Sequence, residues 1–132
     1  MTVVDSSVWI DFLRGTDSPQ RRELHRMIAD CDDLAITGII LTEVLQGISD
    51  ERAFGATERL LREFPVLTPS ASRTFVHAAR IYRRCRRQGR TVRKTADCII
   101  AAICIENGSS LLHRDSDFDL LEACTPLRCH QV

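Results

Sequence analysis

Asp5, Glu43, Asp97 and Asp115 are the side chains with which this chain could do chemistry. Asp97 heads the stretch Thr95-Ala96-Asp97-Cys98-Ile99-Ile100-Ala101-Ala102-Ile103-Cys104-Ile105-Glu106-Asn107-Gly108, and it is the only charge between Ala96 and Ile105. An ionised group at the head of an internal helix has two explanations. It can accept first-turn N–H bonds at the positive end of the helix dipole, or it can hold a metal ion together with other carboxylates. Asp5 ends the apolar run Thr2-Val3-Val4, where capping the next helix is the lesser alternative to a ligand role, and Asp115 follows Leu111-Leu112-His113-Arg114. Glu43 is flanked by the stripe Ile40, Val44, Ile48 and by itself reads as the polar side of an amphipathic helix. Three or four carboxylates gathered at one place repel one another and stay ionised only around a cation. All-oxygen ligation without paired histidines or cysteines selects Mg²⁺, with Mn²⁺ as substitute, and leaves positions open for water and a phosphate. The chemistry that follows is metal-assisted phosphodiester hydrolysis, in which Ser6 or Ser7 fixes Asp5 or the scissile phosphate and no covalent nucleophile is needed.

The surrounding elements must bring these positions together. Thr2 to Asp5 reads as a buried parallel strand emerging at its carboxyl end, followed by a helix Val8 to Arg14 capped by Ser6 or Ser7 and stopped by Gly15. Asp11 reads as a solvated position of that helix, and Trp9 as core or subunit interface. Ser18-Pro19 opens a second helix, Leu34 to Thr37 forms a second strand, and Gly38 turns into a helix Ile39 to Ile48. A helix from Glu51 to Phe64 closes at Pro65, and Val66 to Thr68 is a brief strand or extended link. Ser70 caps a long helix ending near Gln88 and Gly89, with Phe75, Ala78, Ala79, Ile81, Tyr82 and Cys85 on its inner side. After the Asp97 helix come a strand Ser110 to His113, a helix Phe118 to Cys124 capped by Asp117, and an edge strand Leu127 to His130. His113 reads as a strand histidine with an ordinary hydrogen bond. Helices alternating with strands predict a parallel sheet covered on both faces, and right-handed crossovers carry Asp5, Asp97 and Asp115 to one edge of it.

The 132 residues form one domain, with a formal net charge of zero that conceals a strong polarity. Between Glu63 and Asp97 no acid occurs, while Arg73, Arg80, Arg83, Arg84, Arg86, Arg87, Arg90, Arg93 and Lys94 all fall there, half of the 18 basic residues. A helix C-terminus uses some of these charges; phosphate is the counterpart for the excess, with Arg83, Arg86, Arg87 and Arg90 as the candidates to contact a nucleic-acid backbone. The six cysteines read as buried thiols, since no CxxC pair accompanies Cys124, Cys129 and His130 to build a zinc site. No apolar run is long enough to cross a bilayer and no basic leader precedes Thr2, so a cytoplasmic location is expected.

Val4-Asp5-Ser6-Ser7-Val8-Trp9-Ile10-Asp11-Phe12-Leu13-Arg14-Gly15, Glu43-Val44-Leu45-Gln46-Gly47, Asp97-Cys98-Ile99-Ile100-Ala101-Ala102 and Leu111-Leu112-His113-Arg114-Asp115-Ser116-Asp117-Phe118 resemble the four motif blocks of PIN-domain ribonucleases, particularly the VapC toxins of bacterial toxin–antitoxin pairs. Their order and spacing span almost the whole chain. The resemblance implies a three-layer α/β/α sandwich around a parallel sheet, Mg²⁺-dependent endonucleolytic cleavage of RNA, a homodimer that joins larger assemblies with its antitoxin, and inhibition by that antitoxin through a segment inserted near the site. By motif match the family's acidic residues fall on Asp5, Glu43, Asp97 and Asp115, with Asp117 a second candidate in the last block and Ser7 in support. Cysteine content and arginine density lie outside the family pattern.

Two other readings compete. A PIN-like module that has lost catalysis would bind RNA or protein only, against which all four acidic positions are filled. A phosphoacceptor receiver domain is also a small α/β fold with an acidic Mg²⁺ pocket, but it would want adjacent acids after the first strand and a lysine ending the fifth. Here two serines follow Asp5, and the only lysine is Lys94.

Overall fold

The computed structural model describes residues 1–132. Three short runs rich in β-branched or other apolar residues, β1 (Thr2–Val4), β2 (Leu34–Thr37) and β4 (Ser110–Leu112), make the centre of the sheet, and the two-residue strands β3 (Val66–Leu67) and β5 (Arg128–Cys129) its edges. All pairings are parallel, in the order β3-β2-β1-β4-β5. Val3, Val4, Ala35, Ile36, Leu111 and Leu112 are fully or almost fully buried, as befits strands covered on both faces. The receiver reading is excluded here, because that fold orders its strands 2-1-3-4-5.

Seven helices connect the strands: α1 (Ser6–Arg14), α2 (Pro19–Ala29), α3 (Gly38–Gln46), α4 (Glu51–Leu61), α5 (Ala71–Arg87), α6 (Thr95–Glu106) and α7 (Ser116–Cys124). The chain steps one way from β1 to β3 and then returns past β1 to β4 and β5. With right-handed crossovers the first four helices cover one face and the last three the other, consistent with α1 packing on α2 and α3, and α5 on α6 and α7. The result is the expected three-layer α/β/α sandwich.

The helix α6 is apolar nearly all round because it is enclosed: Cys98, Ile100, Ala101, Ala102, Ile103 and Cys104 are all buried. Gly108, at φ 63°, supplies the left-handed turn that stops it. Trp9 belongs to the core, stacked edge-on against Phe12 with ring centroids 5.9 Å apart and tilted against Phe64 at 5.4 Å. Cys85, Cys98, Cys104 and Cys124 are buried free thiols, whereas Cys31 is exposed, in a left-handed turn at φ 56°. Burial pushes the Cys98 thiol up to about 11 and those of Cys85, Cys104 and Cys129 to about 12, so none is a ready nucleophile.

Several sequence expectations are corrected. Asp5, not a serine, caps α1, so that helix begins at Ser6 rather than Val8; Thr37 caps α3, which ends at Gln46 rather than Ile48. The helix α4 stops at Leu61, three residues before Phe64. Ser70 precedes α5 but gives no side-chain cap; its amide instead donates to Thr74 Oγ1 at 2.7 Å. Phe75, Ala79 and Tyr82 face outward, and the buried stripe of α5 is Thr74, Ala78, Ile81 and Cys85. The cap of α7 is Asp115, whose side chain accepts from the Asp117 amide, so Asp117 loses the capping role. Strand β4 ends one residue before His113, whose Nδ1 accepts from the Asp115 amide at 3.1 Å, the ordinary hydrogen bond anticipated for it. Strand β5 covers only Arg128 and Cys129 of the anticipated Leu127 to His130.

Candidate active site

The order β3-β2-β1-β4-β5 reverses direction between β1 and β4, and an open parallel sheet has its crevice at such a switch, beyond the carboxyl ends of the strands. Val4 pairs with Leu112, and the Asp5 amide continues the ladder by donating to the Leu112 carbonyl at 2.9 Å. Asp5 therefore leaves β1 at the level where His113, Arg114 and Asp115 leave β4. The carboxylate of Asp5 accepts the Ser7 amide at 3.2 Å and the Ser7 hydroxyl at 2.6 Å. Ser7 Oγ in turn accepts the Arg114 amide at 3.2 Å, so a single hydroxyl joins the two strand ends.

The other acids come from helices. Asp97 lies in the first turn of α6. Glu43 reaches over from α3, with Ser6 Oγ donating to it at 3.4 Å. Asp5, Ser6, Ser7, Glu43, Lys94, Asp97 and Asp115, with Ile10 and Gln46, line one pocket of about 300 Å³. All four sequence-predicted carboxylates are thus brought together. Ligand atoms of Asp97, Asp115 and Asp117 also lie within 4.8 Å of one another, which adds Asp117 to the group. The zinc alternative finds no such cluster: His130 Nε2 is engaged with Glu23 at 2.9 Å.

Asp97 decides between the two explanations of its own presence. Its Oδ2 is buried and has no hydrogen-bond partner, and the side chain caps nothing in α6. Burial, then the neighbouring charges of Asp5, Asp115 and Asp117, push its pKa up to about 7 against the pull of Lys94. Asp5 and Glu43 are raised as well, each chiefly by burial. Two basic side chains oppose five carboxylates: Lys94 Nζ is 3.8 Å from Asp115 and Arg93 Nε 3.2 Å from Asp117. An orphaned buried carboxylate oxygen and an all-oxygen donor set fit a hard divalent cation.

Three residues here went unread in the sequence. Asp11, expected in solvent, is buried at 4% exposure and pairs with Arg114. Arg114 Nε stands 2.6 Å from Oδ2, close as an ion pair though not aligned as a hydrogen bond, while Nη2 donates to Oδ1 at 3.1 Å. The available signal was spacing, since Ser7 and Asp11 are four apart on α1 and share a face. The third is Arg93, which holds Asp117. The arginines expected to contact RNA separate into different surroundings. Arg83 and Arg87 share a cleft with Arg80 and Arg84, Arg86 turns to Thr91 at 3.0 Å, and Arg90 lies in the loop beyond α5.

Comparison with known proteins agrees with this geometry. The family model described as PIN domain matches residues 2–123. The chain is 36% identical over 129 residues to VapC ribonuclease Mb1587 of Mycobacterium bovis and to ribonuclease VapC11 of Mycobacterium tuberculosis, covering 97% of this chain and 96% of each relative. Among solved structures, VapBC2 from Rickettsia felis bound to a promoter DNA fragment superposes with a TM-score of 0.76 at 14% identity, covering 98% of this chain and 96% of that one. Mycobacterium tuberculosis VapC20, a sarcin-ricin loop cleaving toxin, superposes at 0.68 with 19% identity, covering 90% and 93%. With the family model spanning nearly the full chain and two relatives above a third identical throughout, the chain belongs to the PIN-domain family, in its VapC-type branch.

Proposed function

We propose that the protein is a Mg²⁺-dependent endoribonuclease that serves, in the cytoplasm, as the toxin of a type II toxin–antitoxin pair. The observation that carries this reading is the buried Asp97 Oδ2, partnerless among the carboxylates of Asp115, Asp117 and Asp5. The ribonuclease names of the 36% identical relatives support RNA as the substrate. Asp97, Asp115 and Asp117 would hold the ion, with Asp5 and Glu43 completing its surroundings. When bound, Mg²⁺ supplies Lewis-acid polarisation of the scissile phosphate and an acidified water. Glu43 is half-buried with its pKa raised, chiefly by burial, which suits its carboxylate to accept a proton from an attacking water. Ser7 keeps Asp5 pointed into the pocket, and Lys94 offsets charge developing on phosphate oxygen. The test is end-labelled RNA with purified protein: cleavage in Mg²⁺ or Mn²⁺, none in EDTA, and none with Asp97→Asn. Undiminished binding without cleavage in Mg²⁺ would favour a module that only binds RNA.

Partners follow from the same reading. The solved relatives include toxin–antitoxin assemblies such as VapBC-1 of nontypeable Haemophilus influenzae, which supports a cognate antitoxin here. A groove lined by Ile10, Leu13, Val44, Ile48 and Ala53 shares Ile10 with the acidic pocket, so an antitoxin segment lying in it would reach the carboxylates. The exposed face of α5 bearing Phe75, Ala79 and Tyr82, beside Ile99 of α6, is the surface suited to a homodimer, which the antitoxin would then join into a larger assembly.

A further inference from the structure

Five arginines of this protein pair with an acid. Arg22, Arg26, Arg62, Arg93 and Arg114 all reach a carboxylate, at distances from 2.6 to 3.2 Å. Arg80, Arg83, Arg84 and Arg87 form no ion pair or side-chain hydrogen bond, and no acid occurs anywhere in α5. They stand at i, i+3, i+4 and i+7, so one face of the helix presents all four, and they alone line a cleft of about 480 Å³. Arg80 with Arg84, and Arg83 with Arg87, are like charges one turn apart, an arrangement that costs stability unless a counter-charge arrives. The helix dipole accounts for basic residues of the last turn, but Arg80 and Arg83 stand before it.

Arg83 borders a second groove whose lining includes Thr95 and Cys98 from the start of α6, and Lys94, next to Thr95, lines the acidic pocket. Through Arg83 the arginine cleft therefore adjoins the start of the helix that carries Asp97. We propose that Arg80, Arg83, Arg84 and Arg87 form a docking track for the RNA phosphate backbone outside the catalytic pocket, which holds the strand by charge whatever its sequence. The occupant rests on the ribonuclease reading, but the track itself requires no cleavage.

The experiment uses a fluorescein-labelled single-stranded RNA oligonucleotide, read by anisotropy over a range of salt in EDTA. It compares wild type, the quadruple Arg→Gln variant at positions 80, 83, 84 and 87, the quadruple Arg→Lys variant, and a charge-matched control with Arg52, Arg59, Arg62 and Arg128 changed to Gln. If four phosphates are held, the track variant loses about 3 from the log–log salt slope, at about 0.7 per phosphate of a single strand. The lysine variant and the control keep the slope, and the loss is equal for RNAs of different sequence. Should the Gln variant fail to fold, the pair Arg80→Gln and Arg84→Gln reads half the effect. A slope unchanged from the control overturns the proposal. So does a track variant that binds RNA normally but loses affinity for poly-glutamate, which would give the face to an acidic protein. Normal docking by a wild type that never cleaves in Mg²⁺ would sink the catalytic reading and leave the track standing.

Discussion

A carboxylate buried without a partner, as at Asp97, penalises the metal-free fold, and this yields opposite expectations for stability and activity. Asp97→Asn removes one of several repelling charges, so without metal its melting temperature should equal or exceed that of wild type, while cleavage falls by a hundredfold or more. A variant melting well below wild type in EDTA would return Asp97 to a structural role. The pH dependence has a definite sign. With a folded pKa of about 7 against 3.8 unfolded, the native state holds a proton that the unfolded state has released. Stability from this group is therefore greatest at acid pH and declines as pH rises from about 4 to about 7, by at most about 1.4 kcal/mol per unit. Glu23 and Glu106 are shifted down and act in the opposite sense. The clean measurement is thus the difference between wild type and Asp97→Asn in denaturant melts at pH 5 and pH 7.5 in EDTA, where wild type should gain on the variant at the lower pH. Asp115 combines two duties, cap of α7 and proposed ligand. Asparagine caps as well as aspartate, so Asp115→Asn should abolish cleavage at unchanged stability, whereas Asp115→Ala should in addition lose about 1 kcal/mol.

At the scale of elements, polar ties hold the layers in register around the pocket. Arg114 is bound twice to α1, by its amide to Ser7 and by its guanidinium to Asp11. Replacing Arg114 with Gln leaves the buried Asp11 carboxylate without its partner. We expect a stability loss of about 3 kcal/mol, read by urea denaturation, with the response of the melting temperature to Mg²⁺ retained, because the backbone amide of residue 114 still holds Ser7 and through it Asp5. A variant that melts like wild type would show the pair to be slack in solution. On the far side, Glu106 near the end of α6 accepts from Thr74 Oγ1 and pairs with His77 Nδ1, both at 2.7 Å, tying it to the start of α5. That tie acts at the opposite end of α6 from Asp97. Glu106→Gln should accordingly destabilise by about 1 kcal/mol and leave the metal response intact.

Viewed whole, the molecule separates its charges and its apolar surface by face. Acids collect at the switch between β1 and β4, arginines along the end of α5, and exposed aromatics in an adjoining groove between α5 and α6. Phe75 is 49% and Tyr82 37% exposed, on a helix whose buried stripe lies elsewhere. If this face joins two copies, Phe75→Glu with Tyr82→Glu should convert a dimer to a monomer in sedimentation velocity at micromolar concentration, with the monomer still folded by circular dichroism. A persisting dimer would move the interface elsewhere.

The sequence by itself determined the alternation of strand and helix, the placing of acids where apolar runs end, and the excess of arginine before Asp97, because periodicity, stop residues and charge are local properties. Asp5, Asp97 and Asp115 were legible in that way, whereas Glu43 taken alone read as the polar side of a helix and stood out only through the resemblance of its motif. What it did not determine were the partners of those groups. Whether Asp5 or a serine caps α1, and whether Asp115 or Asp117 caps α7, depends on backbone angles that the capping residue types share. Asp11 looked solvated because its counter-ion, Arg114, is 103 residues away. Phe75 and Tyr82 looked buried because a hydrophobic pattern marks what avoids water without saying whether the cover is this chain or another. Only the order of the strands, which places β4 beside β1, brought these distant residues together. That order is set by long-range packing, and no window of the sequence contains it.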